Sequence, residues 1–231
     1  MPSDDQLDVL FEDNHLLVVN KPAMLPTMGV AESRPSLLKV AKEYVRIKFD
    51  KPGNVYLGIV SRLDAPVSGV VLLARTSKAA NRLTEAFRNR EVKKLYWAAV
   101  SGTPDPMQGT LEHFLRKDER HRKVHVTNSG AADAQLARLS YVVRTERSDT
   151  SLVEVHLETG RKHQIRVQLA KLGHPILGDR KYGSVLEFPL GIALHSRLLE
   201  IEHPVLKEQI RFEAPLPGSW SKHELVRNLL I

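Results

Sequence analysis

The chain has 231 residues, no cysteine, and 34 Lys and Arg against 27 Asp and Glu, which gives a formal net charge of +7. This length suits one large domain that buries about 70% of its unfolded surface. The lack of cysteine excludes disulfides and thiolate metal ligands and favours a reducing, cytoplasmic setting.

No apolar run reaches the length of a membrane span, and the polar start lacks the features of a secretion signal. We therefore expect no membrane contact. The basic charge balance favours a polyanionic partner such as nucleic acid, with a solvated basic face as the alternative.

The first hundred residues predict alternating strands and helices. The turn formers Asp13 and Asn14 separate apolar strands over 7–11 and 15–20. Ser36 precedes apolar residues at helical spacing over 37–45, and Ser77 starts a second helix. Further strands are expected over residues 55–60, 69–75 and 95–100.

The rest of the chain predicts antiparallel strands with one short helix. Residues 102–150 show turn formers and short alternating segments, and a strand over 151–158 follows. A loop and a helix around 164–172 lead to two last strands over 192–203 and 207–215. We predict an α+β fold, a single catalytic domain over 1–231 with a mixed, mainly antiparallel sheet and flanking helices.

A single carboxylate, Asp64, lies in the turn "SRLDAPVSG" between two predicted strands. Loops held by a rigid sheet often carry active sites, and Leu63 can point inward from this turn. The alternative is a structural role, because an Asp in a turn near a glycine, here Gly69, usually bonds its own backbone.

The segment "ETGRKHQIRVQL" places Arg161 at a helix start and Arg166 on the helix, which suits phosphate or carboxylate partners. A solvated helix face is the alternative. His163 and His174 lack the spacing of metal ligands, so a hydrogen-bonded structural role is preferred. Tyr96, on a predicted strand, is either a base-stacking ring or a core residue.

Taken together, these segments resemble the catalytic domain of the RluA-type family of RNA pseudouridine synthases. We expect no amino-terminal S4 module of the kind found in many relatives. The resemblance covers nearly the whole chain, in order. It rests on "VVNKPAMLPT", "SRLDAPVSGVVLLART", "KKLYWAAV", "TGRKHQIRVQLAKLGHPILGDRKYG" and "ALHSRLLEIEHPV".

The resemblance implies an enzyme without cofactor or metal that converts uridine in structured rRNA or tRNA to pseudouridine. It makes Asp64 the catalytic carboxylate, Arg62 the residue that enters the RNA as the target nucleotide is flipped, Tyr96 the ring packed on the uracil, and Arg166 the partner of the catalytic Asp. The expected substrate-binding residues are Lys21, Leu63, Arg161, Lys162, His163, Gln164 and Ile165.

The chain departs from the family pattern at Met24, Ser61, Gln168 and the stretch 65–67. These departures leave the chemistry intact but bear on which RNA is chosen. The alternative function is a noncatalytic RNA-binding module on the same scaffold, and a metal-dependent hydrolase lacks its ligand cluster. We expect a monomer in the cytoplasm.

Overall fold

The computed structural model describes residues 7–230 and divides them into two compact units. The first unit runs to Val92 and includes Arg197–Pro215, and the second comprises Lys93–Ser196 and the residues that follow Pro215. The prediction of one catalytic domain over the whole chain stays a prediction.

The first unit opens with a hairpin of β1 (Val9–Glu12) and β2 (Leu16–Lys21). One carboxylate oxygen of Asp13 accepts hydrogen bonds from the backbone N–H groups of His15 (2.7 Å) and Leu16 (2.6 Å), which fixes the turn. The hairpin expected at Asp13 is therefore confirmed.

Two helices of the first unit begin where the sequence predicts, with Ser36 as the predicted cap of the first and Thr76, which was not predicted, as the cap of the second. Helix α1 (Leu37–Lys48) begins after Ser36, whose hydroxyl accepts from the N–H of Lys39. Helix α2 (Ser77–Arg88) begins after Thr76, whose hydroxyl accepts from the N–H of Ala79. These caps satisfy N–H groups that have no partner within a helix.

The remaining strands of this unit are β3 (Gly58–Ile59), β4 (Ser68–Ala74), β10 (Leu194–Glu202, whose first residues belong to the second unit) and β11 (Gln209–Glu213). β4 pairs antiparallel with β2 and β3, and β10 pairs antiparallel with β11. The strand predicted over 55–60 is only two residues long, so that prediction was too long.

Alternation along β2 builds two apolar clusters, because successive side chains of a strand point to opposite faces. Leu16 and Val18 pack in a cluster with Leu83 of α2. Leu17 and Val19 pack in the other cluster with Val45 of α1. Each face of this small sheet is therefore covered by one helix.

The second unit has five strands: β5 (Lys93–Ser101), β6 (Gln108–Asp118), β7 (Lys123–Thr127), β8 (Gln135–Arg147) and β9 (Thr150–Leu157). They lie in the order β5-β9-β8-β6-β7, with antiparallel pairing throughout. The antiparallel region predicted after residue 102 is confirmed, and with it the α+β class.

The second unit also contains helix α3 (Gln164–Lys171), a 3-10 turn (Arg180–Tyr182), and two short helices, α4 (Gly218–Lys222) and α5 (Glu224–Arg227). Six consecutive residues at the start of α3 are buried, so this helix is not a solvated face. Among the described residues, no helix is long and apolar enough to cross a membrane.

Candidate active site

Asp64 lies in the first unit, in the segment that connects β3 to β4. Its side chain is partly buried. Its backbone carbonyl accepts a hydrogen bond from the N–H of Val67 (3.1 Å), which closes a turn directly before β4. The carboxylate is thus carried by a short loop attached to a fully buried strand.

Two side chains brace this loop through its backbone. The hydroxyl of the buried Thr27 donates to the carbonyl of Leu63 (2.8 Å) and accepts from its N–H (3.2 Å). The hydroxyl of Ser61 accepts from the N–H of Leu72 on β4 (2.9 Å). Ser61, one of the departures from the family pattern, therefore ties the loop to the sheet.

Lys21, at the end of β2, supports the loop from inside the unit. Its side chain is fully buried, and its ammonium donates to the carbonyls of Pro22 (2.8 Å), Leu25 (2.7 Å) and Ala65 (3.3 Å). Burial lowers the pKa of Lys21 from 10.5 to about 7, and the negative charge of Asp64 opposes part of this shift.

The three carbonyls match the three N–H groups of the charged ammonium, whereas a neutral amine has only two. The attraction between Lys21 and Asp64 likewise favours the charged lysine. Lys21 was expected to bind substrate. The structure places it beneath the loop, with no exposed surface, so it acts on Asp64 through charge and backbone contacts.

The two residues that precede Asp64 differ in exposure. Arg62 is exposed, as a residue that enters RNA must be. Leu63 is partly buried and packs against the cluster of β2 and α1. Met24, a second departure from the family pattern, is exposed and has a positive φ of 68°.

In the second unit, Arg166 of α3 forms a buried, two-pronged salt bridge with Asp179. Its Nε donates to Oδ2 (2.7 Å) and its Nη2 to Oδ1 (2.8 Å). The guanidinium also lies over the ring of Tyr182, 5.1 Å from its centroid. The planar group is therefore held in one orientation.

Gln164 organises the loop before α3. Its side-chain oxygen accepts from the hydroxyl of Thr159 (2.8 Å) and from the N–H of Arg161 (3.0 Å), and its amide donates to the carbonyl of Arg138 (3.1 Å). The side chain is buried, so its role here is to hold the loop that carries Arg161.

His163 is the residue before α3 and has a positive φ of 53°. Its Nδ1 lies 2.7 Å from the hydroxyl of Tyr182. This contact fits the structural histidine preferred from the sequence. His174 likewise contacts a backbone carbonyl, that of Ser101, at 2.9 Å from its Nδ1.

The other predicted residues of this unit differ in exposure. Arg161 and Lys162 are exposed, Tyr96 on β5 is partly buried, and Ile165 is buried. Gln168, another departure from the family pattern, is fully buried, and its amide nitrogen lies 3.1 Å from the carbonyl oxygen of Leu111.

Sequence reasoning missed Thr27, Asp179 and Tyr182, which hold the loop of Asp64 and the guanidinium of Arg166. One signal was available for Asp179, since it is the single acidic residue in the basic stretch 161–181. Residues 7–230 contain no group of three or more His, Asp or Glu side chains placed to hold a metal ion.

Comparison with known proteins identifies the family of this chain. Residues 15–171 match the family model described as RNA pseudouridylate synthase. The chain is 36% identical to the dual-specificity RNA pseudouridine synthase RluA of Escherichia coli over 93% of this chain and 95% of the relative. It is also 36% identical to the ribosomal large subunit pseudouridine synthase D of Xanthomonas campestris, over 94% and 68%.

Among solved structures, human RNA pseudouridylate synthase domain containing 4 is similar, with a TM-score of 0.76 and 27% identity. The match covers 96% of this chain and 91% of the human chain. The fold is thus that of an isomerase that acts on RNA. The chain belongs to the RluA-type family of RNA pseudouridine synthases.

Proposed function

We propose that Asp64 is the catalytic carboxylate of this RNA pseudouridine synthase. It would act either as a nucleophile on the target nucleoside or as the base that removes the sugar 2′ proton. The resemblance assigns Arg62 to base flipping, Tyr96 to packing on the uracil and Arg166 to pairing with Asp64. These roles belong to the same proposal.

The support that carries the proposal is the construction around Asp64. Thr27 and Ser61 fix the loop backbone, and the buried Lys21, when protonated, attracts the Asp64 carboxylate. A catalytic group must be held in one geometry by residues whose own contacts are fixed. A carboxylate with only a turn-forming role does not require a buried lysine.

Arg62 fits a flipping role because its side chain is exposed while the residues on either side of it are anchored to the protein. A uridine inside a helix hides its glycosidic bond, so the enzyme must extrude it at a cost of a few kcal/mol. An exposed arginine on a fixed loop can occupy the position in the RNA helix that the extruded base leaves.

We further propose that the substrate is structured rRNA or tRNA, as the name of the Xanthomonas relative states for the ribosomal large subunit. The exposed Arg161 and Lys162 suit contacts with the phosphate backbone. A monomeric, cytoplasmic enzyme without metal or cofactor completes the proposal.

The test compares Asp64→Asn with the wild type on RNA from cells that lack the protein. Carbodiimide-dependent reverse-transcription stops locate each pseudouridine formed. We expect Asp64→Asn to keep the fold and RNA binding and to form no product. The matched variant Asp50→Asn changes an exposed Asp of the same unit and should form product normally. Substantial product from Asp64→Asn would falsify the assignment.

A further inference from the structure

A cavity of about 300 Å³ opens in the second unit, beside the loop that carries Arg161 and Lys162. Its floor is apolar and consists of the buried side chains of Leu115 and Val124. Its rim is polar and holds both signs of charge: Lys117, Glu119, Asp133, Gln135, Arg161 and Lys162.

The two carboxylates of the rim are available for a ligand. Neither Glu119 nor Asp133 forms a salt bridge within residues 7–230, although several cations lie around the same cavity. By contrast, Asp179 and Glu154 in the same unit each pair with an arginine. Glu119 and Asp133 are exposed, so both carboxylates are accessible to a ligand in the cavity.

The side chains that line the cavity indicate which class of ligand it can bind. A free phosphate is disfavoured by the two carboxylates, and a metal ion is disfavoured by the three basic side chains. A flat, uncharged group with hydrogen-bond donors and acceptors on its edge satisfies both signs of charge and covers the apolar floor. The size fits one such group, since small-ligand cavities begin at about 300 Å³.

We propose that this cavity binds an unpaired guanine of the RNA substrate, an inference that rests on the proposed function. Unpaired bases are read by hydrogen bonds to their edges. Guanine presents a ring N–H and an amino group side by side, which suit the two oxygens of one carboxylate, next to a carbonyl that suits a cation or an amide. Adenine, cytosine and uracil lack this set.

Asp133 is the rim carboxylate at which this pairing can be tested with the least disturbance of the backbone. It lies in a loop closed by two successive turns, in which the N–H of Ala131 donates to Asn128 (3.3 Å) and the N–H of Ala134 donates to Ala131 (3.2 Å). Its φ is +59°, a region that Asp and Asn both tolerate. Asp133→Asn therefore removes the charge without straining the loop.

The first arm of the test titrates GMP, AMP, CMP and UMP into the protein and follows the amide resonances by NMR. We expect GMP to bind most tightly and to shift the resonances of Asp133 and Gln135. Asp133→Asn should weaken GMP binding by about 5- to 100-fold and leave AMP binding unchanged or stronger, because an amide suits adenine. Asp50→Asn, the same change at another positive φ, should have no effect.

The second arm uses RNA hairpins with one loop uridine and all other loop positions randomised. Pseudouridine formed by the wild type should concentrate in hairpins with guanine at one fixed position, and Asp133→Asn should lose that preference. Unchanged preference, or GMP that binds no better than the other nucleotides, would overturn the proposal. If the wild type forms no pseudouridine in any hairpin, the result counts against the proposed function. The GMP titration then still tests whether the cavity binds guanine.

Discussion

Replacing Arg166 by methionine should leave a carboxylate buried without its cation. The side chains of Arg166 and Asp179 are only 6% and 2% exposed, and two parallel hydrogen bonds of 2.7 and 2.8 Å join them. Removing one partner of such a buried pair costs about 3–5 kcal/mol, because the remaining charge stays out of water. We expect Arg166→Met to lower the free energy of unfolding by this amount.

A salt bridge with similar geometry in the same unit provides the control. Arg144 also bonds a carboxylate through Nε and Nη2, with distances of 3.1 and 2.6 Å to Glu154, but its side chain is 53% exposed. The Glu154 carboxylate is only 10% exposed, but it keeps a second partner when Arg144 is removed, because Nε2 of His156 lies 3.0 Å from its Oε1. The Arg144 guanidinium is also in contact with water, which weakens the pair. Arg144→Met should therefore cost less than Arg166→Met.

Urea denaturation of the single variants and of Arg166→Met with Asp179→Asn completes a double-mutant cycle. The double variant removes the stranded charge, so it should regain much of the stability lost by Arg166→Met without regaining activity. Arg166→Lys should rescue poorly, because lysine offers no planar fork. Strictly additive losses, or a cost no greater than that of Arg144→Met, would refute this reasoning.

Two further predictions concern the loop of Asp64. The pKa of Lys21 is 10.5 in the unfolded chain and about 7 in the folded protein. Between these pH values the unfolded chain binds more protons than the folded protein, so the free energy of unfolding rises as the pH increases from about 7 to 10.5. Relative to Lys21→Met, the wild type should gain about 3–5 kcal/mol across this window in denaturation curves; parallel curves would contradict the buried lysine. Arg62→Ala should slow modification of a base-paired uridine more than of an unstacked one, and equal losses in single-turnover rates would count against a flipping role.

Local signals in the sequence were enough to predict the elements that surround the Asp64 loop. Asp13 bonds the backbone of its own turn, and Ser36 bonds a residue three positions along, so each leaves a short sequence pattern. The alternation of apolar residues along β2 and β4 likewise reports the two faces of a sheet. The sequence alone marked Asp64 as a candidate, but only the family resemblance favoured a catalytic role over a role in forming the turn.

The residues that hold the site could not be predicted, because their partners are distant along the chain. Thr27 bonds the backbone of Leu63, 36 positions away, and nothing near either residue indicates this contact. Asp179 lies in a turn rich in glycine and proline, which suggests solvent exposure rather than a buried salt bridge. Helices α4 and α5 have five and four residues, too few for a helical pattern.

The order in which the segments are synthesised affects how the first unit can fold on the ribosome. Its cluster around Leu16, Leu72 and Leu83 also contains Leu199 and Phe212, which follow the intervening segment of the second unit, about 100 residues long. At about 5–20 residues per second, that segment takes about 5–20 s to translate. During this interval the nascent chain exposes apolar surface that only later residues cover, so slow translation or low temperature should increase its dependence on chaperones.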